Sequence, residues 1–174
     1  LKQYRGALVS GQLPGSVAVK LLQLAKQHKL TPFMLLHGAL SMVLSRYSAS
    51  TDIVVGTPIA NRMQTELESL IGFFVNTQVL RVNTKQSSLA NLMAHVRDVH
   101  LTAQSLQDVP FELLVDRLST SRSRAYNPLF QIMVTTNTDY ELDSETQNLH
   151  IPGLEVRHYE SDFIQAKFDL NVDL

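Results

Sequence analysis

The chain has no cysteine. Disulfides, thiolate metal sites and a cysteine nucleophile are therefore excluded, and the composition fits a reducing, cytoplasmic setting, which is the expected location. There is no excess of either charge: 15 Lys and Arg against 16 Asp and Glu give a net charge of -1. With neither a basic stripe nor an acidic tail, nucleic acid is not an expected partner. Long hydrophobic runs are missing too. The longest apolar stretch, residues 33–44, is interrupted by His37, Gly38 and Ser41 and is too short to span a bilayer. No signal peptide, internal repeat or low-complexity linker is apparent, so no membrane association is expected. His95 and His100 are five residues apart, not the four that put two ligands on one helix face, so no metal is expected and both read as ordinary, partly exposed histidines. The chain lacks a nucleophile-elbow motif, so serine hydrolysis finds no support.

What remains is a chain of 174 residues, 44% hydrophobic and 18% charged, enough for the core of one domain or one large lobe. Ala7-Leu8-Val9 reads as a short strand, and Ser16 as the cap of a helix carrying Val19, Leu22 and Ala25 on one face. Thr31-Pro32 reads as an N-cap with proline at the first helical position. The helix that follows, to about Tyr47, is apolar almost all round and is expected to be central and doubly buried. Residues 52–56 read as a short buried strand and 71–82 as a long one. Ser87 or Ser88 caps a helix with Leu89, Leu92, Met93, Val96, Val99 and Ala103 at helical spacing. Further strands are expected at 129–136, 154–159 and 168–174, the last with Phe168, Leu170, Val172 and Leu174 on one face, and a polar connection at 139–153. This order predicts an α/β fold: a two-layer sandwich in which helices cover a mixed sheet. Ending within an alternating strand, the chain is expected to be a fragment whose sheet continues elsewhere.

Several residues stand out from this pattern. Asn76 sits in the otherwise apolar run Ile71-Gly72-Phe73-Phe74-Val75, followed by Thr77 and Gln78. A buried amide is costly unless its hydrogen bonds are met, so Asn76 is either tied to backbone or pointed at something polar. Phe73, Phe74 and Val75 are expected in a core or an interface. In Gln107-Asp108-Val109-Pro110-Phe111-Glu112, Asp108 can cap a helix that Pro110 starts, with Glu112 in its first turn. Asn127-Pro128 reads as a turn. Arg117, Arg122 and Arg124 form either a solvated loop or a cationic cluster for a phosphate or an acidic protein.

Five blocks then stand in a fixed order: Gly56-Thr57-Pro58-Ile59-Ala60-Asn61-Arg62, the run from Ile71 to Arg81, the Gln107 to Glu112 block, Arg124-Ala125-Tyr126-Asn127-Pro128-Leu129-Phe130-Gln131, and Ala166-Lys167-Phe168-Asp169-Leu170. Together they resemble the second half of a condensation domain of a nonribosomal peptide synthetase. The match runs over nearly the whole of residues 1–174. The resemblance implies one of two chloramphenicol-acetyltransferase-like lobes arranged in a V. Substrates would arrive on the phosphopantetheine arms of peptidyl or aminoacyl carrier proteins, with no cofactor bound directly. The acceptor amine would attack the donor thioester in a tunnel between the lobes, beside a His-His-x-x-x-Asp-Gly motif of the first lobe. That motif is absent: none of the six histidines has a histidine neighbour. The resemblance thus implies a C-terminal lobe without its N-terminal partner and inactive alone. It places Asn76, Thr77, Arg124 and Asn127 at the tunnel or active-site wall, with Gln107, Asp108, Pro110 and Pro128 as structural supports. Arg62 would pair across the lobe boundary with the missing aspartate, and without it would be exposed. Expected partners are the N-terminal lobe, carrier proteins and adjacent synthetase domains, with self-association through an exposed apolar patch. A non-catalytic docking module of the same fold is the alternative.

Overall fold

The structure, a computed structural model, describes residues 4–118, 126–136 and 165–174. Two polar caps set its main helices. Thr31 Oγ1 accepts the Met34 N–H at 3.2 Å to start α2 (Pro32–Ser48), with proline at its first position. Ser88 Oγ does the same for the Asn91 N–H at the start of α4 (Leu89–Ser105). The other helices are α1 (Gly15–Gln27), the single-turn α3 (Thr65–Glu68) and α5 (Phe111–Arg117).

Four strands among the described residues form a mixed sheet in the order β2-β1-β3-β4. β1 (Asp52–Ile59) and β2 (Asn76–Asn83) pair antiparallel along their full length, from Asp52 opposite Asn83 to Ile59 opposite Asn76. β3 (Ile132–Thr135) runs parallel to β1, and β4 (Leu170–Asp173) parallel to β3. Alternation puts Ile53, Val55, Leu80 and Val134 on one face, where they pack against Phe33, Leu40 and Leu44 of α2 and Val99 and Ala103 of α4. Val82 closes on Leu92 and Val96, and α1 docks on the outside through Ala25, against Leu35 and Met93. The predicted α/β architecture, a mixed sheet layered with helices, is the observed one.

Several local expectations are corrected. α1 begins at Gly15 after Pro14, with no side-chain cap from Ser16. It buries Ala25 beside Leu21 and Leu24, whereas Val19 and Leu22 face outward, because an apolar-rich helix offers two overlapping stripes and only one meets α2. α2 is buried on one side only: Leu35, His37, Gly38 and Ser41 face inward, and Met42, Val43 and Tyr47 are exposed. The expected strand at 71–82 begins only at Asn76. Its partner β1 ends at Ile59, so residues 71–75 have no strand to pair with, and Ile71 and Phe73 are 106% and 90% exposed rather than in a core. Residues 7–9 are not in a strand; nearby, Arg5 and Gln165 make one isolated antiparallel bridge. β3 and β4 are shorter than expected, and Leu170 and Leu174 are exposed on or beside the latter. The expected strand at 154–159 and the connection at 139–153 lie outside the described residues.

Candidate functional site

Asn76 opens β2 opposite Ile59, and its side chain reaches the segment that leads into α5. Its Nδ2 donates to the carbonyls of Gln107 and Val109, at 3.0 and 2.8 Å. Its Oδ1 accepts the N–H of Thr77 at 2.9 Å and of Phe111 at 3.2 Å. Two donors and two acceptor sites are the full capacity of an amide, which accounts for an asparagine in an apolar run. The amide binds backbone, so Asn76 joins the sheet to a segment more than thirty residues away.

That arrangement corrects the expected cap of α5. Pro110 is the N-cap residue, not the first helical one, and no side chain of its own segment caps the helix. Asp108 is exposed. The orphan N–H of Phe111 is met from β2 by Asn76 instead. Glu112 does lie in the first turn. Gln107 reaches the Met63 sulfur, and Gln78 donates to the Ala103 carbonyl of α4 at 2.7 Å, a second tie between β2 and a helix. Thr77 is half-buried opposite Pro58.

Arg62, expected to be exposed, is half-buried and bonded within its own loop. Its guanidinium donates to the carbonyls of Leu67 and Glu68, at the end of α3, and of Gly72, and it lies 4.3 Å over the centroid of the Phe74 ring. The physical reason is local. Asn61, with a left-handed φ of 52°, turns the chain, and the carbonyls left open at the end of a short helix attract a cation.

Asn127 precedes β3 in a bend closed by Gln131. Gln131 Oε1 accepts the Asn127 N–H at 3.1 Å, and its Nε2 donates to the Asn127 carbonyl at 2.8 Å. The side-chain Nδ2 of Asn127 is buried with no partner among the described residues. Arg122 and Arg124 lie outside the described residues, and Arg117 ends α5.

These sites are joined by aromatic packing. The ring of Phe130 lies 5.7 Å from that of Phe111 and 5.7 Å from that of Phe168. It also lies so close over Gly56 that a Cβ there would overlap it. Gln131 closes the set, its carbonyl accepting the Asp169 N–H at 2.9 Å. All five sequence blocks therefore touch: the first two through β1–β2 pairing, the second and third through Asn76, the third, fourth and fifth through the phenylalanines. Three open clefts, of about 460, 500 and 460 Å³, are lined by other residues; Asn76, Thr77 and Asn127 line none of the three.

The sequence profile of the condensation-domain family matches residues 2–174. The chain belongs to that family. This condensation-domain chain is 40% identical over 167 residues to an isonitrile lipopeptide synthase of Mycobacterium tuberculosis, covering 95% of the chain and 6% of that protein. It is 42% identical over 157 residues to a dimodular nonribosomal peptide synthase of Bacillus subtilis, covering 89% of the chain and 6% of the relative. It thus spans only a small fraction of the length of these curated relatives. Among solved structures, a four-domain nonribosomal peptide synthetase superimposes with a TM-score of 0.85 at 22% identity, over 99% of this chain and 14% of that one, a likeness of fold.

One feature of this condensation-domain chain differs from its expected setting. His100, expected to be partly exposed, is buried, and it meets the fully buried His37 between α4 and α2. His37 Nδ1 and His100 Nε2 are 2.9 Å apart, and the Phe33 ring lies edge-on to His100 with centroids 5.4 Å apart. Burial pushes both imidazoles down to about 4, with the neighbouring His100 adding to the effect on His37, so both are neutral at pH 7 and one donates to the other. A signal was present: His100 follows Leu92, Met93 and Val96 at helical spacing, on the face that the core uses. His95 is half-buried and accepts the Asn83 N–H at 3.1 Å.

Proposed function

We propose that the chain is the C-terminal lobe of a nonribosomal peptide synthetase condensation domain whose parent forms peptide bonds between carrier-bound substrates. The observation that carries this reading is the contact set just described. Motif blocks dispersed over more than a hundred residues of sequence form one connected unit around Phe130.

In the proposed reaction the amine of an acceptor aminoacyl thioester attacks the carbonyl carbon of a donor thioester. The new C–N bond forms, the C–S bond breaks, the carrier thiol leaves, and the amine's proton passes to it. Negative charge develops on the carbonyl oxygen during attack, so neutral N–H donors nearby lower the barrier. On this side of the tunnel Asn127 supplies such a donor, Arg124 and Thr77 complete the wall, and Asn76 holds the 107–111 segment behind it. The histidine motif comes from the N-terminal lobe, which also receives Arg62 in an inter-lobe pair once its guanidinium leaves the carbonyls of its own loop. Substrates arrive on phosphopantetheine arms, and the lobe binds no cofactor of its own. Carrier proteins and adjacent synthetase domains are its other partners. The setting is cytoplasmic; no helix among the described residues is long and apolar enough to cross a membrane. The chain alone is inactive, because the His-His-x-x-x-Asp-Gly motif is absent from it and belongs to the N-terminal lobe. A carrier-to-carrier transfer assay on the isolated chain tests this: no turnover is expected, and turnover would sink the half-domain reading in favour of a complete enzyme.

A further inference from the structure

We propose that Gln131 is a positioning residue for the condensation reaction, acting through Asn127. The inference rests on the function proposed above and adds to it a residue with no assigned role. Gln131 grips both backbone groups of Asn127 at once: Oε1 accepts its N–H at 3.1 Å and Nε2 donates to its carbonyl at 2.8 Å. One side chain thereby replaces the two-bond pairing that a neighbouring strand would give. Pro128 follows, with a fixed φ and no N–H to compete for an acceptor.

The grip is itself anchored. The Gln131 carbonyl accepts the N–H of Asp169 at 2.9 Å, at the entry to β4, and Phe130 is wedged between Phe111, Phe168 and the bare Cα of Gly56. Asn127 is thus fixed in its backbone, while its Nδ2 is buried without an acceptor among the described residues. Buried amide nitrogens are almost always satisfied. Here the same turn satisfies the backbone completely and leaves the side-chain donor over. A fixed, water-shielded donor is what a developing oxyanion needs.

The test uses the full-length synthetase carrying this segment, assayed by carrier-to-carrier transfer for kcat and for KM of the acceptor carrier, with thermal unfolding alongside. Asn127→Ala is expected to lower kcat. Gln131→Leu, which removes both bonds, is expected to lower kcat by about tenfold to a hundredfold with KM unchanged, the scale of a small misplacement. The double variant should be no slower than Asn127→Ala alone, because Gln131 acts only through that amide. Gln131→Glu keeps the acceptor and loses the donor, so it should fall between; it carries the test if Gln131→Leu does not fold. A loss in Asn127→Ala with none in either Gln131 variant, or losses that multiply in the double variant, would overturn the inference alone. Unchanged turnover in Asn127→Ala would instead overturn the reading of Asn127 on which it rests.

Discussion

Asn76 shows how one residue can organise a fold. Three of its four hydrogen bonds cross from β2 to the segment that leads into α5, whose N-cap Pro110 has no side-chain bond to offer; the fourth, to Thr77, stays within β2. Asn76→Ala leaves two carbonyls and the Phe111 N–H without partners, which predicts a loss of about 1–3 kcal/mol in urea unfolding. Asn76→Asp keeps an acceptor for the Thr77 and Phe111 N–H groups but should recover little of the loss, since its second carboxylate oxygen would face the carbonyls of Gln107 and Val109. Gly56 gives a sharper case. Gly56→Ala drives a methyl into the Phe130 ring, and a loss of at least about 1–3 kcal/mol is expected by the same measurement. At this scale the sequence was partly legible. The amide in an apolar run announced itself, but its partners, thirty residues on, did not. Asp108 resembles a cap because a local pattern can propose only local partners.

Among the elements, helix starts were readable and helix faces less so. Thr31 and Ser88 cap as their spacing predicts because capping is a short-range bond. Which stripe of α1 docks, how much of α2 is covered, and that strand pairing begins only at Asn76 depend on neighbours that no local window contains. The His37–His100 contact between α2 and α4 belongs here, and it makes a pH prediction. Both histidines titrate at about 4 in the fold against an ordinary value of 6.5 in the unfolded chain. Between those values the unfolded chain binds more protons, so stability is full above about pH 6.5 and falls as the pH drops towards 4. The loss is on the order of a few kcal/mol for the pair taken together. Denaturant midpoints measured from pH 7 to pH 4 should show it, and His100→Gln should flatten the slope over that range. An unchanged slope would mean that the pair does not titrate with folding.

For the whole molecule, the α/β layering was legible because hydrophobic period and element order carry it, and the family was legible because five blocks keep their order. The surface was less so. Ile71 and Phe73 are almost entirely exposed, with Met63, Leu70, Leu106 and Val109 also outward. Such apolar exposure is usually an interaction surface, so concentration-dependent self-association is expected of the isolated chain. A Phe73→Ser, Ile71→Asp variant should weaken it in sedimentation or light scattering; a strict monomer at high concentration would argue against it. Whether these residues are half of a peptide-bond-forming site is tested most directly by reconstitution. The isolated chain, alone and then joined to an N-terminal lobe carrying His-His-x-x-x-Asp-Gly, would be assayed for peptide transfer between two loaded carrier proteins. The expected result is no product from the chain alone, product from the joined lobes, and loss of that product on Asn127→Ala. Product from the chain alone, or none from folded, joined lobes, would contradict the half-site.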